Sequence, residues 1–332
     1  MSRLAVIIPT FRRPASLERA LRSVLAQDAR ETLIGEIAVV DNDPDGSARP
    51  VVARLQHEGA KLLYVHAREP GVSNARNAGL AATSAPLIAF IDDDEEAPPH
   101  WLAALHAAHD SLAVDVAFGP VRGRADGAAD WKRAYLERFF SRVGPAETGV
   151  IDQVFGCGNS MMTRATALQG PTPFDPAANQ TGGEDDRLFA RLKAENRRFG
   201  WAADAWLWEH APASRQTARY ALARAFSFGQ SPSQISARAR NWPCVARWMA
   251  IGAAQAGLFG AAALALAPFG LPRALPYVDR AVRGLGKLLW FKTLYFYGRP
   301  GAPAASSLAA SSPASTPSGS ASLNVIAAKI TQ

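Results

Sequence analysis

The chain has 332 residues, 48% of them hydrophobic and 9% aromatic, which is enough for one large core or two domains and outside the range of disordered chains. Its net charge of +7 is uneven: residues 1–212 hold 23 basic and 28 acidic side chains, whereas residues 213–300 hold 12 basic and one acidic, Asp279. Cys157 and Cys244 form neither a metal-spaced pair nor a disulfide framework, which excludes a disulfide-stapled fold and fits a reducing, cytosolic compartment.

The N-terminal run enters a strand too soon to be a signal peptide. Leu4 to Pro9 is apolar and β-rich, Thr10 to Arg13 is a loop, and Pro14 suits the first position of a helix. Leu17, Ala20, Leu21, Val24 and Leu25 then recur at helical spacing. Ile34 to Val40 reads as a second strand, ending in the polar turn Asp41 to Gly46. Val51 to Gln56 reads as helix and Lys61 to His66 as a third strand. Gly71 opens a helix that runs on to Leu80. Leu87 to Ile91 is a short buried strand, Pro99 to His109 a helix and Val114 to Phe118 a strand.

This alternation predicts a mostly parallel, doubly wound α/β sheet, whose ligand lies outside the carboxyl ends of the strands. The loops 10–13, 41–45 and 92–96 all fall at those ends. The last carries Asp92, Asp93, Asp94, Glu95 and Glu96 with no basic residue among them. Such carboxylates repel one another and call for a cation, and a divalent metal with its preference for carboxylate oxygen is the natural answer. A solvated acidic loop is the plainer alternative.

Residues 120–150 read as polar and irregular around Trp131, Tyr135, Phe139 and Phe140. Gly156 to Ser160 is a small-residue loop. Gly182 to Arg187 runs into a helix with Leu188, Phe189 and Leu192 on one face. Trp201, Trp206, Trp208 and His210 mark a strand-like segment, and Ser214 to Phe228 a basic helix. Residues 245–270 are apolar apart from Arg247, Gln255 and Pro268. From Trp248 this stretch is long enough to cross a bilayer, which takes roughly 20 apolar residues, and it fits an interfacial or a buried helix as well. Arg280 to Lys292 reads as a basic amphipathic segment suited to an anionic membrane surface. Residues 301–322 are rich in Ala, Ser and Pro and are expected to be disordered. The organisation expected is a catalytic domain over 1–230, a helical membrane-associated region over 231–300 and a low-complexity tail over 301–332.

Five motifs occur in order: Val6 to Thr10, Val39 to Asn42, Pro70 to Gly79, Phe90 to Glu95, and Gly183 to Asp185. Together they resemble the family 2 glycosyltransferases of GT-A fold, over about residues 3–230 and most closely the bacterial exopolysaccharide branch of succinoglycan type. The resemblance implies a Rossmann-like, mostly parallel sheet flanked by helices, here with an apolar and basic helical extension. It implies Mn²⁺ or Mg²⁺ on Asp92 and Asp94, against the diphosphate of a nucleotide-sugar. Pro9, Thr10, Arg12 and Asp41 match its nucleotide site, and Asp93 the ribose. Arg76 and Asn77 lie at a helix start that offers N–H groups and a fixed cation to phosphate. Asp185 matches the catalytic base, with Glu184 and Asp186 placed for acceptor hydroxyls. His210 resembles a histidine that completes the metal shell in some GT-A enzymes.

Each position has a plainer reading. Asp41 suits an Asx-turn, Arg76 an exposed helix surface, the Glu184 to Asp186 run an acidic helix start, and His210 a partly buried, satisfied ring. Gln216 to Tyr220 resembles the QxxRW signature of processive synthases with Tyr220 in place of Trp, which argues against processive synthesis. Arg215 and Arg219 remain candidates for contact with a diphosphate. The function implied is inverting transfer from a nucleotide-sugar, UDP first among them, to a hydroxyl of a glycan or polyprenyl-diphosphate-linked acceptor. The work is expected at the cytoplasmic face of the inner or plasma membrane, with peripheral or single-span attachment. Two rivals carry less: a GT-A-like nucleotidyltransferase, which would need a glycine-rich loop after the first strand, and a nucleic-acid-binding protein, whose basic face would not share space with long apolar runs.

Overall fold

The computed structural model describes residues 4–179 and 183–292. The tail over 301–332 and Gly182 lie outside the described residues. Contacts divide the chain into two units, Met1–Gln216 and Thr217–Gln332.

In chain order the first unit holds β1 (Leu4–Thr10), α1 (Pro14–Leu25), α2 (Arg30–Leu33), β2 (Ile34–Asp41), α3 (Arg49–His57), β3 (Leu63–His66), α4 (Val72–Ala82), β4 (Leu87–Phe90) and β5 (Glu95–Glu96). It continues with α5 (Trp101–Ser111), β6 (Val116–Phe118), β7 (Val121–Arg124), α6 (Asp130–Phe140), β8 (Gly149–Ile151), β9 (Ser160–Thr163), α7 (Arg164–Ala167), α8 (Glu184–Ala194), β10 (Phe199–Trp201) and β11 (Leu207–His210). Eight strands form one sheet in the order β3-β2-β1-β4-β9-β6-β10-β8. β3, β2, β1 and β4 run parallel, as does β10 beside β6, while β9 lies antiparallel between β4 and β6. A three-stranded sheet, β5-β11-β7, completes the unit.

Side chains alternate across each strand, so β1 feeds two cores. Leu4, Val6 and Ile8 join Leu17, Leu21, Val52, Trp101 and Leu105 on one face; Ala5 and Ile7 join Val40, Phe90, Phe118, Phe189 and Trp201 on the other. Helices therefore cover both faces, as the alternating pattern predicts.

Two readings need correction. Residues 120–150 contain β7, α6 and β8 instead of irregular chain; the β strands there have only three or four residues, too few to show a period. The small-residue loop runs directly into β9 at Ser160, the antiparallel insertion in the sheet.

The second unit contains α9 (Ala218–Arg238), α10 (Trp242–Leu266) and α11 (Leu271–Leu288). The basic helix expected over 214–228 starts later and runs on to Arg238. The boundary placed at residue 230 therefore lies inside α9.

Candidate active site

The parallel register sets Thr10 opposite Asp41 and Ile7 opposite Phe90, which brings the loops after β1, β2 and β4 to one edge of the sheet. There Thr10 Oγ1 donates to Asp93 Oδ2 at 2.8 Å. Arg13 Nη1 donates to Asp93 Oδ1 at 3.0 Å and to Asp94 Oδ2 at 2.8 Å. The Asp92 N–H donates to Glu95 Oε2 at 2.7 Å, which tightens the turn. Asp93, Asp94 and Glu95 are buried, and Asp92 is more open.

The second acidic run starts α8. Gly183 takes φ +81°, a left-handed conformation in which a side chain is strained, and Glu184, Asp185 and Asp186 form the first helical turn. Arg76 links the two runs. Its guanidinium donates from Nη1 to Glu184 Oε1 at 2.6 Å and lies 3.6 Å from Asp92 Oδ1. It also stacks over Phe174. Arg76 is buried, contrary to the exposed-helix alternative. Burial works against its charge, but Cys157, Asp92, Glu184 and Asp185 around it outweigh that and raise its pKa above the ordinary value.

A glycine loop separates the same groups. The Cys157 N–H donates to Asp185 Oδ2 at 3.3 Å. A Cβ on Gly158 would stand 2.6 Å from Asp92 Oδ2 and 2.9 Å from Glu95 Oε1; one on Gly156 would stand 3.4 Å from Asp185 Oδ2. Three consecutive residues thus touch the acidic loop on one side and the α8 carboxylates on the other. Arg142 Nη1 holds the loop by donating to Gly158 O at 2.5 Å.

The remaining predicted positions take other partners. Asp41 is fully buried and accepts from Asp43 N (3.1 Å), Ala48 N (2.8 Å) and Tyr64 Oη (2.9 Å), the bonds of the turn-holding alternative. Asn77 exchanges two hydrogen bonds with the Phe174 backbone. The N–H of Ser73 in the first turn of α4 is given to Asn179 Oδ1 at 2.9 Å and that of Gly71 to Asn42 Oδ1 at 2.6 Å, so neither is held out for phosphate. Arg12, exposed at φ +55°, pairs with Asp43 and Asp45, and Pro9 is half-buried in β1. Asp186 is exposed, and its N–H donates to Asp185 Oδ1 at 2.9 Å. The His210 ring meets Glu96 Oε2 at 2.6 Å, while its backbone N–H donates to Asp94 O at 2.8 Å.

Sequence reading gave no individual role to Arg13 in the 10–13 loop, to Arg142, to Glu209 or to the small-residue loop at Gly156–Gly158, and named Glu95 only as one carboxylate of the acidic run. The one available signal was alternation in β11, which puts Glu209 on the face opposite Trp208 and His210. Burial, then Asp94 and Asp92, push Glu209 up to about 8; burial, then Asp93 and Asp92, push Asp94 up to about 6; burial and Asp92 raise Glu95 well above the usual carboxylate range. A divalent cation beside these crowded carboxyl groups would favour their ionised forms. Among the described residues no three or more His, Cys, Asp or Glu side chains are grouped to hold a metal ion. A hard cation held by one or two carboxylates and completed by phosphate and water needs no such group. Asp92 and Asp94 have the chemistry to hold such a cation, with Arg13 already on one oxygen of Asp94, and the His210 ring is engaged by Glu96.

The mostly parallel sheet with helices on both faces and an acidic loop after β4 is the architecture expected of a GT-A fold. The family model "Glycosyl transferase family 2" matches residues 5–168, and this stretch is a glycosyltransferase domain of that family. It is 29% identical over 294 residues to the succinoglycan biosynthesis protein ExoM of Rhizobium meliloti, a match covering 87% of this chain and 94% of that one. Over 98 residues it is 34% identical to a GalNAc(5)-diNAcBac-PP-undecaprenol beta-1,3-glucosyltransferase of Campylobacter jejuni, covering 29% of this chain and 31% of that one. Among solved structures, S. aureus TarS superposes with a TM-score of 0.49 at 17% identity, over 68% of this chain and 65% of that one.

Proposed function

We propose that this glycosyltransferase moves a sugar, with inversion, from a nucleotide-sugar, in the first instance a UDP-sugar, to a hydroxyl of a glycan or polyprenyl-diphosphate-linked glycan. The reaction takes place at the cytoplasmic membrane face during assembly of exopolysaccharide or another cell-surface glycan. The observation that carries this reading is Arg76, whose one guanidinium reaches Asp92 of the acidic loop and Glu184 of α8. Groups suited to a donor diphosphate and groups suited to an acceptor hydroxyl thus meet at one arginine.

The roles follow from the chemistry. Asp185 takes the proton of the acceptor hydroxyl as its oxygen attacks the anomeric carbon from the face opposite the nucleotide. Hydrogen bonds from the backbone N–H groups of Cys157 and Asp186 fix the direction of its carboxylate. Glu184 and Asp186 flank it for acceptor hydroxyls. Thr10 and Arg13 hold Asp93 and Asp94 in place, and Arg76 offers a buried cation beside the diphosphate position. Bound at Asp92 and Asp94, Mn²⁺ or Mg²⁺ would supply Lewis-acid stabilisation of the departing nucleotide diphosphate. The names of the two relatives, one in succinoglycan biosynthesis and one acting on an undecaprenol-linked glycan, support the acceptor class.

The test is UDP release from a panel of UDP-sugars with membrane lipid extract as acceptor, with and without Mn²⁺ or Mg²⁺. Asp185→Asn is expected to lower transfer by about 10²–10⁴-fold and to leave UDP binding intact. Failure of every donor overturns the proposal, and loss of UDP binding in the variant removes Asp185 from its role as base.

A further inference from the structure

From Trp248 to Pro272 the chain carries 25 consecutive residues without Asp, Glu, Lys, Arg or His, flanked by Arg247 and Arg273. The helix over Trp242–Phe269 is, among the described residues, the one long and apolar enough to cross a membrane, with a mean hydropathy of 1.7. Only 11% of its apolar window is buried. Its partner argues against a crossing. α11 packs along α10 at backbone distance: a Cβ on Gly252 would stand 2.6 Å from Gly284 O. Gln255 Nε2 donates to Arg280 O at 2.9 Å, and Lys287 Nζ to Gln255 Oε1 at 2.8 Å. The Arg280 guanidinium lies 5.1 Å from the centroid of the Phe259 ring, beside the midpoint of the uncharged stretch. Were α10 to span a bilayer, Arg280 would stand at its centre, with Asp279, Arg283 and Lys287 at depth on the same helix. Each unpaired charge at that depth costs roughly a hundredfold in partitioning; the Asp279–Arg283 ion pair relieves part of the total, and Arg280 and Lys287 keep theirs.

The faces of α10 offer the alternative. Its 252, 256 and 284-facing side is covered by α11, whereas Ile251, Ala254, Leu258, Ala261 and Leu264 are exposed on the far side. We infer that α10 lies in the plane of an anionic lipid bilayer, with this stripe in the acyl boundary and α11 above it at the headgroups. Helices pack about 8–10 Å apart, which lifts the basic residues of α11 from the acyl boundary to the phosphate layer. The charge balance favours anionic lipid as the occupant, with 12 basic residues against one acidic over 213–300. This deepens the membrane-facing part of the proposed function. It is measured without sugar transfer, so either reading can fail while the other stands.

The test uses the full chain carrying Cys244→Ser, whose remaining native Cys157 is buried, and one added cysteine at Ile251, Leu258, Leu264 or Phe269, labelled with a fluorophore and bound to vesicles of phosphatidylcholine with or without phosphatidylglycerol. Quenching by lipids labelled at graded depths should place all four positions about 5–10 Å into the headgroup boundary. A progression of about 27 Å from 251 to 269, the rise of a spanning helix, overturns the inference. Arg273→Gln and Arg280→Gln should each lower binding to phosphatidylglycerol vesicles about fivefold. Trypsin outside sealed vesicles carrying the wild-type chain should cut after both Arg247 and Arg273, whereas protection of one shows a crossing, even if the cysteine variants misfold. Vesicles that capture no protein likewise overturn it, and a dimer in solution would then give the stripe to a second copy.

Discussion

Arg76 offers the sharpest test of how the two acidic runs are joined. Its side chain is 5% exposed and that of Glu184 10%, so neither charge has water to fall back on. Replacing Arg76 with Met keeps most of the apolar volume over Phe174 and leaves Glu184 without its cation. Breaking one side of a buried ion pair costs about 3–5 kcal/mol. Asp92, 38% exposed and 3.6 Å away, keeps enough solvation to add little. Burial already holds Glu184 above its ordinary pKa, so without Arg76 it should take up a proton, and the penalty should shrink as pH falls. Glu184→Gln in the same chain removes the stranded charge, and the pair should show a coupling of about 1–3 kcal/mol. Urea unfolding followed by the fluorescence of the buried Trp101 and Trp201 measures both changes at pH 7. An Arg76→Met penalty below about 1 kcal/mol, or simple additivity in the double variant, would refute the buried bridge.

Other expectations follow from the same geometry. Gly158→Ala should lower activity well beyond its effect on melting temperature, because the new methyl meets Asp92 and Glu95, whose side-chain ends can shift only by leaving their places. Arg13→Ala should cost about 1.5–3 kcal/mol by removing charge-assisted bonds to Asp93 and Asp94, seen as a lower urea midpoint. Asp94 and Glu209 have folded-state pKa values above those of unfolded carboxylates, near 6 and 8. The folded chain therefore binds more protons from about pH 4 upward, and stability of the metal-free protein should fall as pH rises through 6 and on to 8. Glu209→Gln should flatten that slope in melting curves, and a slope left unchanged would show that Glu209 is not the group responsible. His210→Gln should leave the half-saturating Mn²⁺ concentration unchanged, because the ring is held by Glu96, while Asp94→Asn should raise it.

The parallel half of the fold is legible in the sequence because its strands are long or flanked by well-patterned helices. The apolar runs Leu4–Ile8 and Ile37–Val40 and the helix face of Leu17, Leu21 and Val24 leave little choice of period. The antiparallel insertion is not legible, since β9 has four residues and takes its direction from the strands on either side. The site divides the same way. Acidic runs stand out because consecutive carboxylates are costly and need a reason. Their partners do not, since Arg13 and Arg142 look like any surface arginine until tertiary packing brings them to Asp93, Asp94 and Gly158. Asp41 and Asn77 match family motifs, yet their hydrogen bonds go to Ala48 and Phe174 within the scaffold. A motif position records that a residue type is required, and only the contacts say whether a ligand or the fold requires it.

The crowding of carboxylates at this site is itself informative. A fold selected for stability alone would not bury Asp93, Asp94 and Glu95 together with the half-buried Glu209 beside them, because burial disfavours the charged form and each neighbour adds repulsion. Arg13, Arg76 and Arg142 offset part of that cost but are themselves held by backbone and carboxylate contacts that fix their positions. What is left are carboxyl groups whose ionisation nearby cations favour only in part, next to a loop in which a side chain at 158 would collide with Asp92 and Glu95 and one at 156 would press on Arg142. Such local strain is tolerated where a ligand repays it. The glycines keep room beside Asp92 and Asp185, and the crowded carboxyl groups give a cation-bearing diphosphate a reason to enter that room.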